Sequence, residues 1–177
     1  MKNATTSHIN ESATYHKHLI SLYVSNQPGV LIRIALVFAK RGYNIDSLVV
    51  STAEDPRFSR MNIVASGDKK TLEQILKQLN KLVDVISAKD HTGENIVERE
   101  LSLIKVNCTT ENRTEIVQIA SAFNAKTIDL SEKTITFEVV GDSAKLDAFQ
   151  KLMEKYEIDE LVRTGKVIIS RGMEHTS

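Results

Sequence analysis

The residues best suited to binding a small molecule are Asn26, Gln27, Pro28, Gly29, Val30 and Leu31, where the apolar run HLISLYV gives way to the helical pattern of PGVLIRIALVFAKRG. The first amides of a helix have no partner inside it and carry partial positive charge, so an anion is stabilised there. Gly29 has no side chain to obstruct a carboxylate approaching those amides. Asn26 and Asn44, both expected near the same end of one sheet, offer amide oxygens that could accept from an ammonium group. The combination suits a small zwitterion such as an amino acid. The same residues also make an ordinary capped turn, because Asn caps helices, Pro favours the first helical position, and Gly42 followed by Asn44 is a common helix exit. Residue chemistry alone favours that plainer alternative.

Patterns for bond-making chemistry are missing. The histidines, His8, His16, His18, His91 and His175, lie mostly in the tails and the linker and show no metal-ligand spacing such as H-E-x-x-H. Cys108 has no cysteine partner and reads as a small core thiol rather than a nucleophile. Gly165 and Lys166 in RTGKVIISRG lack the upstream glycine and the following Ser or Thr of a phosphate loop, so the stretch reads as strand. No catalytic residue, metal site or nucleotide site is assigned. Lys plus Arg and Asp plus Glu are 23 each, so there is no net field to draw in nucleic acid or acidic lipid. No run approaches the roughly 18 apolar residues that span a bilayer, and the first 17 residues have neither the apolar centre of a secretory signal nor the Arg-rich character of a transit peptide. A cytoplasmic protein without a membrane partner is expected.

The elements that must hold these residues occur twice. HLISLYV reads as a strand, the following run as a helix, IDSLVVSTA and SRMNIVAS as a hairpin around EDPRF, and a helix capped by Asp68 carries Leu72, Ile75, Leu76, Leu79, Leu82 and Val83, before the strand DVISAKD. The order βαββαβ then returns. ELSLIKV, a helix through Ile116, Ile119, Ala120 and Phe123, TIDLSE, TITFEVVG, a helix with Leu146, Phe149, Met153 and Tyr156, and IDELVRTGKVIIS make the second copy. The fold class expected is α+β, two tandem ferredoxin-like units. The boundaries are a polar tail over 1–17, a first unit over 18–91, a linker over 92–98, a second unit over 99–172 and a tail over 173–177. Each sheet should leave one face uncovered, so pairing with another copy is expected.

NQPGVLIRIALVFAKRGYNIDSLVV and TAEDPRFSRMNIVASGD closely resemble the N-terminal ACT domain of acetohydroxyacid synthase (acetolactate synthase) small subunits. The ordered set GYNIDSL, DPRFSRM, KQLNKLVDV and VERELSLIKV, with the terminal RTGKVIISRG, extends the resemblance over roughly residues 18–172. It implies a regulatory subunit of branched-chain amino acid biosynthesis that has no cofactor of its own. The implied partner is a separate catalytic subunit carrying thiamine diphosphate, magnesium and FAD, which this chain would activate and subject to feedback inhibition, usually by valine. It further implies a homodimer through the ACT domains, with effector contacts at Asn26, Gly29, Val30 and Leu31 from one copy and Asn44 and Ile45 from the other. The second repeat has VNCTTENRTEI where the first has NQPGVL, so a second identical pocket is not expected; this half is read as serving assembly and regulation. The hairpin tip Asp55, Pro56, Arg57 and Phe58 sets an aromatic between charges, a candidate contact for the partner or a simple turn.

An RNA-recognition module shares the element order but stacks bases on strand aromatics, and RMNIVAS has none. An acylphosphatase-like enzyme would want an arginine between first strand and first helix, and residues 25–29 contain none. An ACT-type sensor of another enzyme, or a transcriptional repressor, remains the alternative, because a fold does not fix a function.

Overall fold

Residues 16–176 are described in the computed structural model. Strand β1 (His16–Ser25) buries Ile20, Leu22 and Val24 on one face and pairs antiparallel with β3 (Phe58–Gly67), which sets Ile20 opposite Ile63 and Leu22 opposite Met61. Side chains alternate across a strand, so this register gathers the apolar residues on one side. Two helices cover that side. Helix α1 (Val30–Ala39) contributes Val30, Ile34, Val37 and Phe38, and α2 (Lys69–Leu79) contributes Leu72, Ile75 and Leu79, at the spacing of a helical stripe. With β2 (Asn44–Thr52) and β4 (Val85–Asp90) the sheet order is β2-β3-β1-β4, leaving β2 and β4 at the edges.

The second unit repeats the plan with β5 (Val97–Asn107), α3 (Arg113–Ala122), β6 (Lys126–Leu130), β7 (Thr134–Gly141), α4 (Ser143–Met153) and β8 (Ile158–Arg163), in the order β6-β7-β5-β8. Its core is Ile104, Val106, Ile116, Ile135, Phe137, Val139, Leu146, Phe149 and Met153, closed by Tyr156 from a single 3₁₀ turn after α4. Asp68 caps α2 by accepting from the Thr71 amide at 2.8 Å, and Asp142 caps α4 through the Lys145 amide at 2.8 Å.

Several sequence expectations need correction. His16 and Lys17 belong to β1 rather than to a tail; the rest of that tail, residues 1–15, and Ser177 lie outside the described residues. Helix α2 ends at Leu79, so Leu82 is half-buried and Val83 exposed beyond it. The stop is set by Asn80, whose side chain accepts from the Ala88 amide and donates to the Ala88 carbonyl, tying the helix end to β4. The terminal strand is broken into β8 and β9 (Val167–Ile169) by a turn at Gly165, whose φ is +88°. A β-carbon there would meet Ser47, so glycine permits both the turn and the close approach to β2.

The uncovered face of the first sheet is also occupied differently from expectation. Ser21, Ser47, Val49, Asn62 and Val64 share that face by register. Gly165 lies against Ser47 and Val49, and Thr176, from the expected terminal tail, is buried and accepts from Ser21. The chain's own last segment covers ground that pairing with another copy was expected to cover.

Candidate functional site

Helix α1 starts on a different residue from the one its sequence suggests. Pro28 is not its first residue; Gly29 is the N-cap, in the left-handed region at φ +85°, and Val30 is first. No side chain caps this turn, and the amides of Leu31 and Ile32 have no helical partner. A β-carbon on Gly29 would come 3.0 Å from Nη1 of Arg33. Arg33, one turn into α1, therefore holds a cation beside the amides, oriented by a 2.7 Å ion pair from its Nε to Asp84. Sequence reasoning missed Arg33, although its place four residues after Gly29 puts it on the same helical face.

Asn26 does not stand free. Its amide donates to the Arg57 carbonyl at 2.7 Å, and its Nδ2 donates to the Pro56 carbonyl at 3.0 Å. The loop before α1 is thus bonded to the hairpin tip Asp55–Phe58, joining two groups that the sequence left separate. The carboxamide oxygen of Asn26 is left for another donor. Leu31 is 42% exposed, but Val30 is only 2% exposed and serves the core, so its backbone and not its side chain can face a ligand. Asn44 is exposed and donates to Asp46 at 2.7 Å; Ile45 is half-buried against the core.

The expected meeting of Asn26 and Asn44 within one chain fails. Asn44 pairs with Ser66, and Ser66 pairs with Lys17 on the other side of β3, so Asn44 is level with the start of β1 while Asn26 follows its end. Nine residues of strand separate the two levels, about 30 Å at roughly 3.3 Å per residue. β1 and β2 run parallel on either side of β3, which sends their first residues to the same end and Asn26 to the other.

At the hairpin tip, Arg57 pairs with Asp55 at 2.5 Å and also lies 5.6 Å from the centre of the Phe58 ring. That pairing holds the Asp55 carboxyl below its ordinary value. Phe58 is half-buried rather than presented outward, because it stacks on Tyr23 at 5.0 Å, and Arg60 lies over the other ring at 5.3 Å. In the second unit the corresponding loop is closed by its own side chains. Asn112 accepts from the Thr109 amide at 2.7 Å, and Arg113 donates to the carbonyls of Ser131 and Glu132. Cys108 is buried beside that guanidinium.

Two buried histidines were invisible in the spacing. His18 holds the Gly67 carbonyl at 3.2 Å, and His91 bridges Ser21 at 2.7 Å and Glu94 at 2.6 Å. Ser21, His91 and Glu94 have the spacing of a nucleophile triad, yet the Ser21 hydroxyl gives its proton to the Thr176 carbonyl, 2.9 Å away. Among the described residues, no group of three or more His, Cys, Asp or Glu is arranged to hold a metal, and no helix is long and apolar enough to cross a membrane.

Two tandem ferredoxin-like units, the first with a helix that starts at a glycine without a side-chain cap, define a protein of the ACT-domain class. The family models agree and are narrower: residues 20–87 match the AHAS small subunit-like ACT domain, and residues 99–172 match the small subunit of acetolactate synthase. The chain belongs to the acetolactate synthase small-subunit family. It is 49% identical over 156 residues to the "Probable acetolactate synthase small subunit" of Archaeoglobus fulgidus, covering 88% of this chain and 98% of that one. It is 43% identical to the acetolactate synthase small subunit of Mycolicibacterium smegmatis, covering 88% and 91%. The crystal structure of the Thermotoga maritima small subunit superposes with a TM-score of 0.80 at 42% identity, over 89% of this chain and 98% of that one.

Proposed function

We propose that this chain is the non-catalytic, regulatory subunit of a cytoplasmic acetolactate synthase, activating a separate catalytic subunit and conferring feedback inhibition by valine or a related branched-chain amino acid. The reading draws on the family, whose members are named as small subunits of that enzyme. Thiamine diphosphate, magnesium and FAD then reside on the catalytic partner, and this chain supplies the effector site.

The observation that carries the site is the register of the free edge strand. β2 ends level with the end of β1, so its Thr52 end lies beside the Asn26 loop and its Asn44 end lies opposite. If a second copy pairs antiparallel along β2 about a two-fold axis, its Asn44 and Ile45 arrive at the Asn26 end of the first. The separation that defeats the site within one chain completes it between two. Helix α1 supports such a dimer, with Ile32 66% exposed and Leu36 also exposed on a helix that is apolar nearly all round. The effector's carboxylate lies on the amides of Leu31 and Ile32 near Arg33. Its ammonium meets the carboxamide oxygens of Asn26 and the partner's Asn44, with Leu31 and Ile45 beside the branched side chain. A ligand shared by two protomers favours one pairing over others and can therefore shift their equilibrium.

The test is acetolactate formation by the cognate catalytic subunit, with and without this chain, across titrations of valine, leucine and isoleucine. Stimulation that one of these amino acids reverses is expected. Absence of stimulation would overturn the partner assignment, and stimulation insensitive to all three would overturn the effector assignment.

A further inference from the structure

We propose that the effector site selects an ammonium over a hydroxyl or keto group beside the carboxylate, and that Asp46 is a positioning residue that sets this preference through Asn44. The inference rests on the site shared between two copies described above. It follows from which end of each asparagine is already taken. A carboxamide nitrogen only donates and its oxygen only accepts. Asn26 gives its Nδ2 to the Pro56 carbonyl at 3.0 Å, and Asn44 gives its Nδ2 to Oδ1 of Asp46 at 2.7 Å. Neither a carbonyl nor a carboxylate has a hydrogen to return, so neither side chain can turn its oxygen to that partner. Both nitrogens are committed within the chain, and both oxygens are left for a ligand.

The two locks are built differently. Asn26 is held by backbone: its own amide is bonded to the Arg57 carbonyl at 2.7 Å, and the hairpin that presents Pro56 is closed by the Phe58 amide on the Asp55 carbonyl at 3.0 Å. Asn44 is held by a side chain. The register of β2 shifts between Ile45 and Ser47, a bulge that leaves Asp46 without a cross-strand partner and re-aims its carboxylate. Ser66, directly opposite Asn44 on β3, donates its hydroxyl to Oδ2 of Asp46. One carboxylate oxygen thus serves Asn44 while the other is tied to the neighbouring strand, so Asp46 cannot swing away without losing both bonds.

The consequence is a choice among acids that share one carbon skeleton. An amino acid, its α-hydroxy analogue and its α-keto analogue present the same carboxylate, so the amides of Leu31 and Ile32 and the Arg33 guanidinium do not tell them apart. The next carbon does. An ammonium has three hydrogens and can satisfy the oxygens of Asn26 and of the partner's Asn44 together. A hydroxyl has one hydrogen and satisfies one oxygen. A keto oxygen has none; it sets acceptor against acceptor and leaves both carboxamide oxygens unpaired in a covered site, which is the kind of mismatch that discriminates strongly. The expected order of affinity is amino, hydroxy, keto. A chain built this way registers the branched-chain amino acid and not the α-keto acid that carries the same side chain.

The experiment is calorimetric titration of the full chain with valine, α-hydroxyisovalerate and α-ketoisovalerate. Valine should bind about a hundredfold or more tighter than the keto acid, with the hydroxy acid between them. Asp46→Ala frees Asn44 to turn its nitrogen to a keto oxygen, so valine weakens, the keto acid does not, and their ratio shrinks about tenfold. A residue that only supported the fold would weaken all three acids together and leave the ratio unchanged. Asp46→Asn keeps an oxygen for Asn44 while removing the charge, and should restore most of the discrimination. Valine and its keto analogue binding within tenfold of each other, an unchanged ratio in Asp46→Ala, or Asp46→Asn as impaired as Asp46→Ala overturns this inference and leaves the effector site standing. A chain that binds none of valine, leucine and isoleucine overturns the effector site itself.

Discussion

Replacing Gly29 separates the effector reading from plain helix capping, provided two variants are compared. At φ +85° any side chain is strained, and Asn and Asp tolerate the left-handed region best among residues with a β-carbon. Gly29→Asn and Gly29→Asp therefore impose about the same backbone cost, roughly 1 kcal/mol, and the same displacement of Arg33. They differ in charge. A carboxylate here lies roughly 5 Å from an effector carboxylate held on the Leu31 and Ile32 amides, a repulsion of about 3 kcal/mol at an effective dielectric constant near 20. Exposure and salt reduce that, so the Asp variant should need on the order of ten to a hundred times more valine than the Asn variant for half inhibition. The assay is acetolactate formation with the catalytic subunit, accompanied by thermal unfolding of each variant to confirm equal stability. A capped turn without a ligand would gain from the negative charge, since an acid at a helix N-terminus is favourable. Equal valine responses in the two variants, with Asp the more stable, would refute the carboxylate site.

Other consequences concern stability and assembly. Arg163 pairs with Glu100, a carboxylate that is buried, so Arg163→Met should destabilise the second unit by about 3 kcal/mol, and adding Glu100→Gln should recover much of the loss in urea unfolding. Asn80→Ala removes both side-chain bonds to Ala88 and should cost about 1–2 kcal/mol, visible as faster exchange of the β4 amides. The Thr71 hydroxyl and amide hold the Asp68 carboxyl below the usual carboxylate range, so its contribution is present above that range and fades as pH falls through the lowered value; Asp68→Asn keeps the cap and should lose this acid-side slope. Leu36→Glu places a charge on the exposed face of α1 and should shift the chain towards monomer in sedimentation without lowering its melting temperature.

Local regularities were readable in the sequence, and distant ones were not. Met61, Ile63 and Ala65 alternate, and α2 announces its cap at Asp68, because a strand face and a helix start are set by residues a few positions apart. The turn into α1 at Gly29 is legible in the sequence, but the left-handed backbone there is not, and the pattern sets Pro28 inside the helix it precedes. The placement of Asn44 failed for a topological reason: β1 and β2 are parallel across β3, and nothing in the residues near Asn44 records which end of the sheet they begin at. The burial of His91 depends on Thr176, 85 residues away, and no periodicity connects them. Arg33 lay within reach of helical spacing and went unnoticed because its neighbours are apolar.

The bond from Asn26 to Pro56 bears on how an effector could be felt beyond its own pocket. A site that only bound valine equally in every state would change nothing downstream, since a ligand shifts an equilibrium only by its difference in affinity between states. Asn26 supplies that difference if its carboxamide must serve the ligand with one end and the hairpin carbonyl with the other. Any turn of the side chain towards the ammonium strains the bond to Pro56, and the same hairpin carries the stacked rings and arginines of Tyr23, Phe58, Arg57 and Arg60. The effector loop and the charged aromatic tip are then one mechanical unit. On this reading the tip is where the catalytic partner senses the ligand, and Asn26→Asp, which removes the donor to Pro56 while keeping an acceptor for the ammonium, should retain partner activation but lose the link between valine and inhibition.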